Sequence, residues 1–267
     1  MKIFVINLKS SVERRETMVK QLNKLELPYE IFEAVRGSEL SEEEILSYYD
    51  KTYYRQRPDY YSPGMVGCTL SHFFLYKKMV EENIDVALIL EDDMVLNKNL
   101  PGMLDLIAME IRKDEVVMLF YQSYFPIELS ASSATYLKDT YSLYQVSGIK
   151  GLRSTGGYII TLEAATSLAK NLLPFTSFPD DWKSFYNKKM LNGIRVVYPF
   201  LLDNTYQATT ISPNLKGGSF IKKLLPFVEN NKIFPVYQLL KWRRKINISK
   251  SRHCLIKPGP PVDFREI

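Results

Sequence analysis

The order of apolar and polar stretches predicts an α/β fold. Apolar runs predict buried strands at 2–8, 28–35 and 87–90, and a helix begins after Ser10 and Ser11 and continues to about Leu25. Two strands joined by a helix are typical of a parallel sheet. The same patterns predict further helices at 64–82, 101–111 and 163–172, and further strands at 115–121, 154–161 and 194–198.

Three stretches need a separate interpretation. Residues 48–63 contain six tyrosines and two prolines, which favours an irregular loop, either an aromatic surface or a platform for sugar or base rings. Residues 122–147 are rich in Ser, Thr and Tyr and predict hairpin-like strands. Asp180 is a predicted helix N-cap, with Asp181 in the first turn.

Composition places the chain among ordinary globular proteins. It has 267 residues, of which 46% are hydrophobic and 24% charged. The N-terminus is apolar for only four residues, so we expect no signal peptide, and no run approaches the roughly 20 apolar residues of a membrane span. Cys68 and Cys254 form neither a disulfide framework nor a zinc spacing, which favours a reducing cytoplasm.

Basic residues are concentrated near the C-terminus. Residues 216–253 hold ten Lys/Arg and one acid (+9), while the rest of the chain holds 25 Lys/Arg and 29 acids (−4). We therefore predict a main domain at 1–215 and a basic amphipathic segment at 216–267. Cations interleaved with bulky apolar residues, including Trp242, suit an anionic membrane surface, although a helix packed on the body is the alternative. The acidic body argues against nucleic acid.

Three consecutive carboxylates, Glu91, Asp92 and Asp93, follow the buried strand at 87–90. Such crowding is costly unless a cation or donors neutralise it, and ligands usually bind at the carboxyl ends of α/β strands. The stretch therefore indicates a divalent metal site for a phosphorylated ligand, with a solvated strand end as the alternative. Arg14 and Arg15 oppose the macrodipole at their helix start, so they are either solvated or near a bound anion.

The helix at 64–82 carries a possible pair of metal ligands. Cys68 and His72 are four residues apart and share a face with Tyr76 and Met79. A protein zinc site has at least three protein ligands, and this helix offers only two. A packed helix face is therefore the favoured interpretation. Gly64 and Gly67 would allow a ligand to approach the backbone closely.

Three motifs in order resemble glycosyltransferase family 25, the bacterial enzymes of lipooligosaccharide and lipopolysaccharide biosynthesis. The first is Val5-Ile-Asn-Leu8 with Ser11, Arg14 and Arg15. The second is Gly67-Cys-Thr-Leu-Ser-His72 followed by Leu88-Ile-Leu-Glu-Asp-Asp93. The third is Thr155-Gly-Gly-Tyr-Ile-Ile-Thr161 leading to Pro179-Asp-Asp181.

The resemblance implies a GT-A type fold, a Rossmann-like mixed sheet flanked by helices, here with a basic helical C-terminal appendage. It implies an inverting, metal-dependent transfer of a hexose, most often galactose from UDP-galactose, to a lipid-linked oligosaccharide acceptor. The implied cofactor is Mn2+ or Mg2+. The resemblance and the basic segment together imply a peripheral enzyme on the cytoplasmic face of a bacterial inner membrane.

The resemblance also distributes roles among residues. Asp93 is the expected direct metal ligand, while Glu91 or Asp92 contacts the metal, its waters or the ribose, and His253 is a further possible ligand. Asp181 is the expected base and Asp180 the helix cap, although the two could exchange roles. The expected donor contacts are Asn7, Arg14, Arg15, Gly156 and Gly157.

Other functions stay open at this point. A UDP-glucose-dependent enzyme, a metal-dependent nucleotidyltransferase and a non-catalytic carbohydrate or nucleotide binder are the alternatives. A dinucleotide oxidoreductase is disfavoured because no Gly-x-Gly-x-x-Gly follows the first strand.

Overall fold

The computed structural model describes residues 1–56, 61–123, 126–149, 151–204, 228, 231, 233–250 and 254–258. Its strands are β1 Lys2–Asn7, β2 Glu30–Glu33, β3 Val86–Glu91, β4 Met94–Leu96, β5 Glu115–Met118, β6 Ile127–Ser130, β7 Thr135–Lys138, β8 Tyr141–Gln145, β9 Gly157–Thr161, β10 Gly193–Tyr198, β11 Leu202–Asn204 and β12 Cys254–Lys257. Its α-helices are α1 Val12–Lys24, α2 Glu42–Tyr48, α3 Lys51–Gln56, α4 Pro63–Glu81, α5 Leu100–Glu110, α6 Leu162–Asn171, α7 Trp182–Asn187 and α8 Val236–Lys250.

Eight strands form one mixed sheet in the order β2-β1-β3-β9-β5-β10-β8-β7. Strands β2, β1 and β3 are parallel, β9 runs antiparallel between β3 and β5, and β10 is parallel to β5. The predicted mixed α/β sheet is confirmed. In the register of β1 and β3, Ile6 lies opposite Glu91, so Asn7 and the acidic triplet meet at one edge of the sheet.

Helices cover both faces of the sheet, which explains why β3 is apolar from Val86 to Leu90. Ala87 and Ile89 pack in the core layer that contains residues of α4, α6 and α7. Leu88 and Leu90 pack in the opposite layer with residues of α1 and α5. All four side chains are fully buried. The strand is thus fixed from both sides, and its acidic end is held on a rigid element.

A buried ion pair joins β5 and β10 near the start of both strands, at the edge of the sheet opposite Asn7. Arg195 contacts Glu115 through Nε at 2.6 Å and through Nη2 at 2.8 Å, and both side chains are at most 2% exposed. Glu115 also accepts from the Arg112 backbone N–H. Because every charge in this pair has partners, we assign it a structural role.

Three helix starts in this chain differ in how they are capped. Ser41 and Glu44 form a complete capping box at the start of α2. Ser11 occupies the N-cap of α1, but its side chain makes no capping hydrogen bond. The helix at 182–187 begins one residue later than predicted, so Asp181 rather than Asp180 lies at its N-cap position.

The described parts of the tyrosine-rich stretch, residues 48–56 and 61–63, are more regular than the sequence suggests. Lys51–Gln56 is helical, and Tyr49 and Tyr61 are 2% and 3% exposed. Their rings contact each other and Phe175 belongs to the same cluster. The prediction of an irregular aromatic surface is wrong here because these rings bury one another. Hairpin pairing within 122–147 is confirmed for β7 and β8.

Part of the basic C-terminal segment is described, and it contains the predicted helix. Helix α8 exposes Leu239 and Trp242 by 62% and 61%. Strand β12 pairs in parallel with β6, which connects the segment to the main sheet region. Within the described residues, no helix has the length and apolarity needed to span a membrane. The predicted metal ligand His253 lies outside the described residues.

Candidate active site

A cavity of about 470 Å³ opens at the carboxyl edge of β1 and β3. Its walls come from the start of α1, the connection after β2, the start of α4 and the acidic end of β3. The charged, thiol and imidazole side chains that line it are those of Arg14, Arg36, Cys68, His72, Glu91, Asp92 and Asp93. The structure therefore brings the first two sequence motifs together around one space.

Asp92 is held by two neighbours from the first motif. Its Oδ2 accepts from Asn7 Nδ2 at 2.7 Å, and its Oδ1 accepts from Arg14 Nη1 at 3.1 Å. Burial raises the pKa of Asp92, and the Arg14 charge opposes that rise. Of the two explanations left open for Arg14, solvation or a nearby anion, the structure supports an anion, and the protein itself supplies it as Asp92. Asn7 is 2% exposed and does not line the cavity, so its position suits an indirect role, through Asp92.

Asp93 shares a two-residue turn with Asp92 between β3 and β4. Its Oδ2 lies 3.7 Å from Arg14 Nη1, a longer contact than that of Asp92. Burial and the neighbouring Glu91 charge raise the pKa of Asp93 to about 7. Ionisation of Asp93 beside the Glu91 carboxylate is therefore unfavourable, as expected where carboxylates crowd together.

Glu91, the last residue of β3, contacts helix α4 and the segment that precedes β9. Its Oε1 accepts from Thr155 Oγ1 at 2.5 Å and lies 3.5 Å from His72 Nε2. Burial acts to raise the pKa of Glu91, but its contacts with His72 and Thr155 outweigh burial and lower the pKa overall. Glu91 is thus held as an anion.

His72 is 1% exposed and is oriented by two tyrosines. Its Nδ1 lies 2.8 Å from the Tyr158 hydroxyl, which lies 2.8 Å from the Tyr76 hydroxyl. The Nε2 atom is buried and makes no hydrogen bond among the described residues. Tyr76 and Met79 are buried in the core, so the packed helix face is confirmed, while its Cys68 end opens into the cavity.

Cys68 adds a thiol to the His72–Glu91 contact. One ligand atom from each of Cys68, His72 and Glu91 lies within 4.8 Å of the others. Burial, with the charges of Glu91 and Asp180, raises the pKa of Cys68 well above its ordinary range. Glu91 of β3 thus adds a carboxylate beside the thiol and the imidazole that helical spacing places on one face of α4.

Gly67 serves a backbone crossing and not, as predicted, the approach of a ligand. A Cβ at Gly67 would lie 2.4 Å from Val35 O and 2.8 Å from Gly37 N. A Cβ at Gly37 would lie 1.9 Å from Pro63 O. The connection after β2 thus crosses the first turns of α4 at van der Waals distance, and both segments form walls of the cavity.

Asp180 and Asp181 share one cation, Arg153. Arg153 Nη1 lies 3.6 Å from Asp180 Oδ1 and 3.3 Å from Asp181 Oδ1, while Asp180 Oδ2 accepts from Ser154 N. Burial raises the pKa of Asp180, and Glu91 is among the charges that add to the rise. The third motif thus lies within electrostatic range of the acidic strand end.

Two predicted donor contacts have packing explanations. A Cβ at Gly156 would lie 2.7 Å from Met94 Sδ, and one at Gly157 would lie 2.0 Å from Leu202 Cδ1. Both glycines are buried, which leaves their predicted contact with a sugar as a prediction without geometric support. Arg15 is half-buried and, unlike Arg14, is not among the residues that form the cavity wall in the described structure.

Sequence reasoning missed three residues that organise this site: Thr155, Arg153 and Tyr158. Thr155 precedes the glycine pair, so its hydroxyl was visible in the third motif. Tyr158 also lies in that motif, but its role was not visible there, and Arg153 lies outside the motif. The partners of both residues lie 27 to 86 residues away along the chain.

The sheet order, the acidic strand end and the adjoining cavity define a GT-A type α/β domain. Residues 1–182 match the family model described as "Glycosyltransferase family 25 (LPS biosynthesis protein)". The chain belongs to glycosyltransferase family 25.

Named relatives match over shorter stretches. A procollagen galactosyltransferase 1-A of Xenopus laevis is 33% identical over 100 residues, which are 34% of this chain and 16% of that protein. A putative glycosyltransferase of Haemophilus influenzae is 30% identical over 103 residues, covering 39% of this chain and 36% of the relative. The match thus spans about a sixth of the procollagen galactosyltransferase.

A solved glycosyltransferase involved in glycosylation of the major capsid of PBCV-1 is 13% identical with a TM-score of 0.33. The alignment covers 77% of this chain and 82% of that one. The fold assignment therefore rests on the sheet topology described above.

Proposed function

We propose that this chain is an inverting, metal-dependent glycosyltransferase that moves a hexose from a UDP-sugar to a glycan acceptor. The proposed donor is UDP-galactose, which is supported by the galactosyltransferase named among the relatives. The proposed acceptor is a lipid-linked oligosaccharide of lipopolysaccharide biosynthesis, in line with the description of the family model.

The observation that carries the proposal is the acidic end of β3 in the wall of the cavity. Asp92 and Asp93 lie beside Arg14, at the carboxyl edge of a sheet where nucleotides bind in related architectures. A cavity of about 470 Å³ falls within the range of small-molecule sites. The Arg14 guanidinium is placed to contact a diphosphate.

The donor set fits Mn2+ or Mg2+, because hard cations prefer carboxylate oxygen. Asp93 would hold the ion, and Glu91 or Asp92 would contact it, its waters or the ribose. When bound, the ion supplies Lewis-acid stabilisation of the departing diphosphate. Asn7 and Arg14 hold Asp92 in place, and Thr155 and His72 hold Glu91.

Asp181 is the proposed base that takes the proton of the acceptor hydroxyl. Both oxygens of Asp180 have partners, Arg153 and Ser154 N, whereas Asp181 contacts Arg153 through Oδ1 alone in the described structure. Asp180 thus anchors the segment, and Asp181 retains an oxygen for the acceptor. Arg153 lies where it can orient both carboxylates.

The metal assignment is tested with Asp93→Asn in a UDP-release assay with Mn2+ and UDP-galactose. Losing a metal ligand removes several kcal/mol of stabilisation, so kcat/KM should fall on the order of 10³-fold. Asp105→Asn, at an exposed position of α5, is the matched control and should keep full activity. Unchanged turnover of Asp93→Asn would refute the assignment.

The base is tested with Asp181→Asn and Asp180→Asn. Loss of a general base costs about 10²–10⁴-fold, so Asp181→Asn should lose transfer to the acceptor by that factor while binding UDP normally. Loss of UDP binding would contradict the role of Asp181. A larger loss of transfer in Asp180→Asn would exchange the two assignments.

The proposed location is the cytoplasmic face of a bacterial inner membrane, reached through the basic segment. Leu239 and Trp242 are exposed on α8 among cations such as Lys241 and Arg243. Bulky apolar groups between cations match the interface of an anionic bilayer.

Membrane contact is tested by sedimentation with vesicles of anionic phospholipid. Trp242→Ala should weaken vesicle binding about 10–150-fold, since burying a large apolar side chain contributes about 1.5–3 kcal/mol. Tyr136→Ala removes an aromatic ring of similar exposure, 68%, from β7 and should have no effect. Equal effects of the two substitutions would contradict docking through α8.

A further inference from the structure

We propose that Cys68, His72 and Glu91 form a zinc-binding site in the cavity wall, separate from the ion that Asp93 would hold. One ligand atom of each lies within 4.8 Å of the other two. A tetrahedral Zn2+ with its usual bond lengths places ligand atoms about 3.3–3.8 Å apart, so a small side-chain adjustment closes the site. Zn2+ commonly takes thiolate, imidazole and carboxylate ligands.

His72 is already oriented as a metal ligand. Its Nδ1 is occupied by the Tyr158 hydroxyl at 2.8 Å, which leaves Nε2 as the coordinating nitrogen. That atom is buried in a side chain 1% exposed and makes no hydrogen bond among the described residues. An outer partner on the second ring nitrogen is the usual arrangement for a ligating histidine.

The site is open on one side, because all three residues also line the cavity. Three protein ligands plus one open position is the arrangement of an accessible zinc site rather than a closed structural one. The Cys68 sulfur makes this site selective for a softer ion than Mn2+ or Mg2+, because those hard cations prefer oxygen ligands. At comparable donors Zn2+ also binds more tightly than Mn2+.

If the proposed function holds, Zn2+ bound at this site should affect the transferase activity. Glu91 is adjacent to Asp92 and Asp93, so a Zn2+ ion held by Glu91 would occupy space beside the donor's diphosphate. Zn2+ should therefore inhibit the Mn2+-supported transfer by competing with the donor. This inhibition is a separate measurement, and zinc binding itself requires no turnover.

The direct test uses Co2+ as a spectroscopic probe of the chain of residues 1–267. Wild type should show the near-ultraviolet charge-transfer band of a cobalt thiolate at one ion per chain, and Zn2+ should displace it. Cys68→Ser should abolish the band, whereas Cys254→Ser, at the second cysteine, should retain it. Asp93→Asn should also retain it.

Competition with a chelating dye then measures Zn2+ affinity. Tyr158→Phe should weaken it about 10–100-fold, as expected for loss of an outer-shell partner, and His72→Gln should weaken it more. A missing cobalt band, or one that persists in Cys68→Ser, would overturn the zinc site even if the transferase activity is confirmed. Zinc binding without any transfer would leave the site intact and contradict only the proposed enzyme.

Discussion

Substitution of Gly67 by alanine tests the backbone crossing that forms two walls of the cavity. In the middle of a helix, alanine is favoured over glycine by about 1 kcal/mol, so helix propensity alone predicts a gain in stability. The structure predicts the opposite sign. A Cβ at this position would lie 2.4 Å from Val35 O and 2.8 Å from Gly37 N, and both are backbone atoms.

The expected change in unfolding free energy is the steric cost of the new Cβ minus the gain in helix propensity. Overpacking costs typically about 1–3 kcal/mol, and two backbone contacts inside 3.0 Å put Gly67 near the upper end of that range. After the propensity gain, Gly67→Ala should lose about 2 kcal/mol of unfolding free energy. That loss corresponds to a Tm about 4–8 °C lower for a chain of this size.

The matched control is Gly102→Ala, in the first turn of α5. No atom lies within 4 Å of a Cβ built there, so the substitution should be neutral or stabilise the protein by about 0.4–1 kcal/mol. Urea denaturation of both variants measures whether each substitution raises or lowers the free energy of unfolding. Because Val35 and Gly37 also line the cavity, Gly67→Ala should in addition raise the KM for the donor.

A gain of about 1 kcal/mol in Gly67→Ala, equal to the propensity term, would refute this reasoning. It would mean that the connection after β2 does not approach α4 closely. The cavity wall formed by Val35, Arg36 and Gly37 would then be misplaced, and the proposed donor site with it.

Three further predictions concern groups that stabilise the fold. Arg195→Met leaves Glu115 buried without its partner and should cost about 3–5 kcal/mol in urea denaturation; a loss below 1 kcal/mol would contradict the buried pair. Tyr158→Phe removes a hydroxyl that bridges two buried groups and should cost about 1–3 kcal/mol by the same assay, while a neutral result would contradict the bridge. Ser41→Ala removes the capping box with Glu44 and should cost about 1 kcal/mol; no change in the urea midpoint would show that the cap is dispensable.

Features that depend on neighbours along the chain were predictable from the sequence. Helix α4 was predicted at 64–82 and runs from Pro63 to Glu81, because Ser62 caps it and apolar residues continue through its length. Strand β3 was predicted because a buried strand with both faces covered is apolar at consecutive positions. Local chemistry fixes such elements wherever they lie in the fold.

Features that depend on distant partners were not predictable. Strand β9 inserts antiparallel between β3 and β5, and nothing in its own residues specifies that order. The partners of Asp92 lie 78 and 85 residues away. The position of the cap at α7 differed by one residue because Asp180 and Asp181 have equal capping propensity, and the tertiary contact with Ser154 decides between them.

The three carboxylates at the end of β3 have identical local signals but different surroundings, and that difference assigns their chemistry. Arg14 forms an ion pair with Asp92, and Asn7 donates a hydrogen bond to it. His72 and Thr155 stabilise the anion of Glu91. Asp93 has the longer contact with Arg14, at 3.7 Å against 3.1 Å, and is therefore the least compensated of the three. A cation would stabilise this strand end most through Asp93. The same arrangement leaves Glu91 between two kinds of donor, hard carboxylates on one side and a thiol with an imidazole on the other. Under the two proposals made above, the identity of the bound ion would determine which side is used.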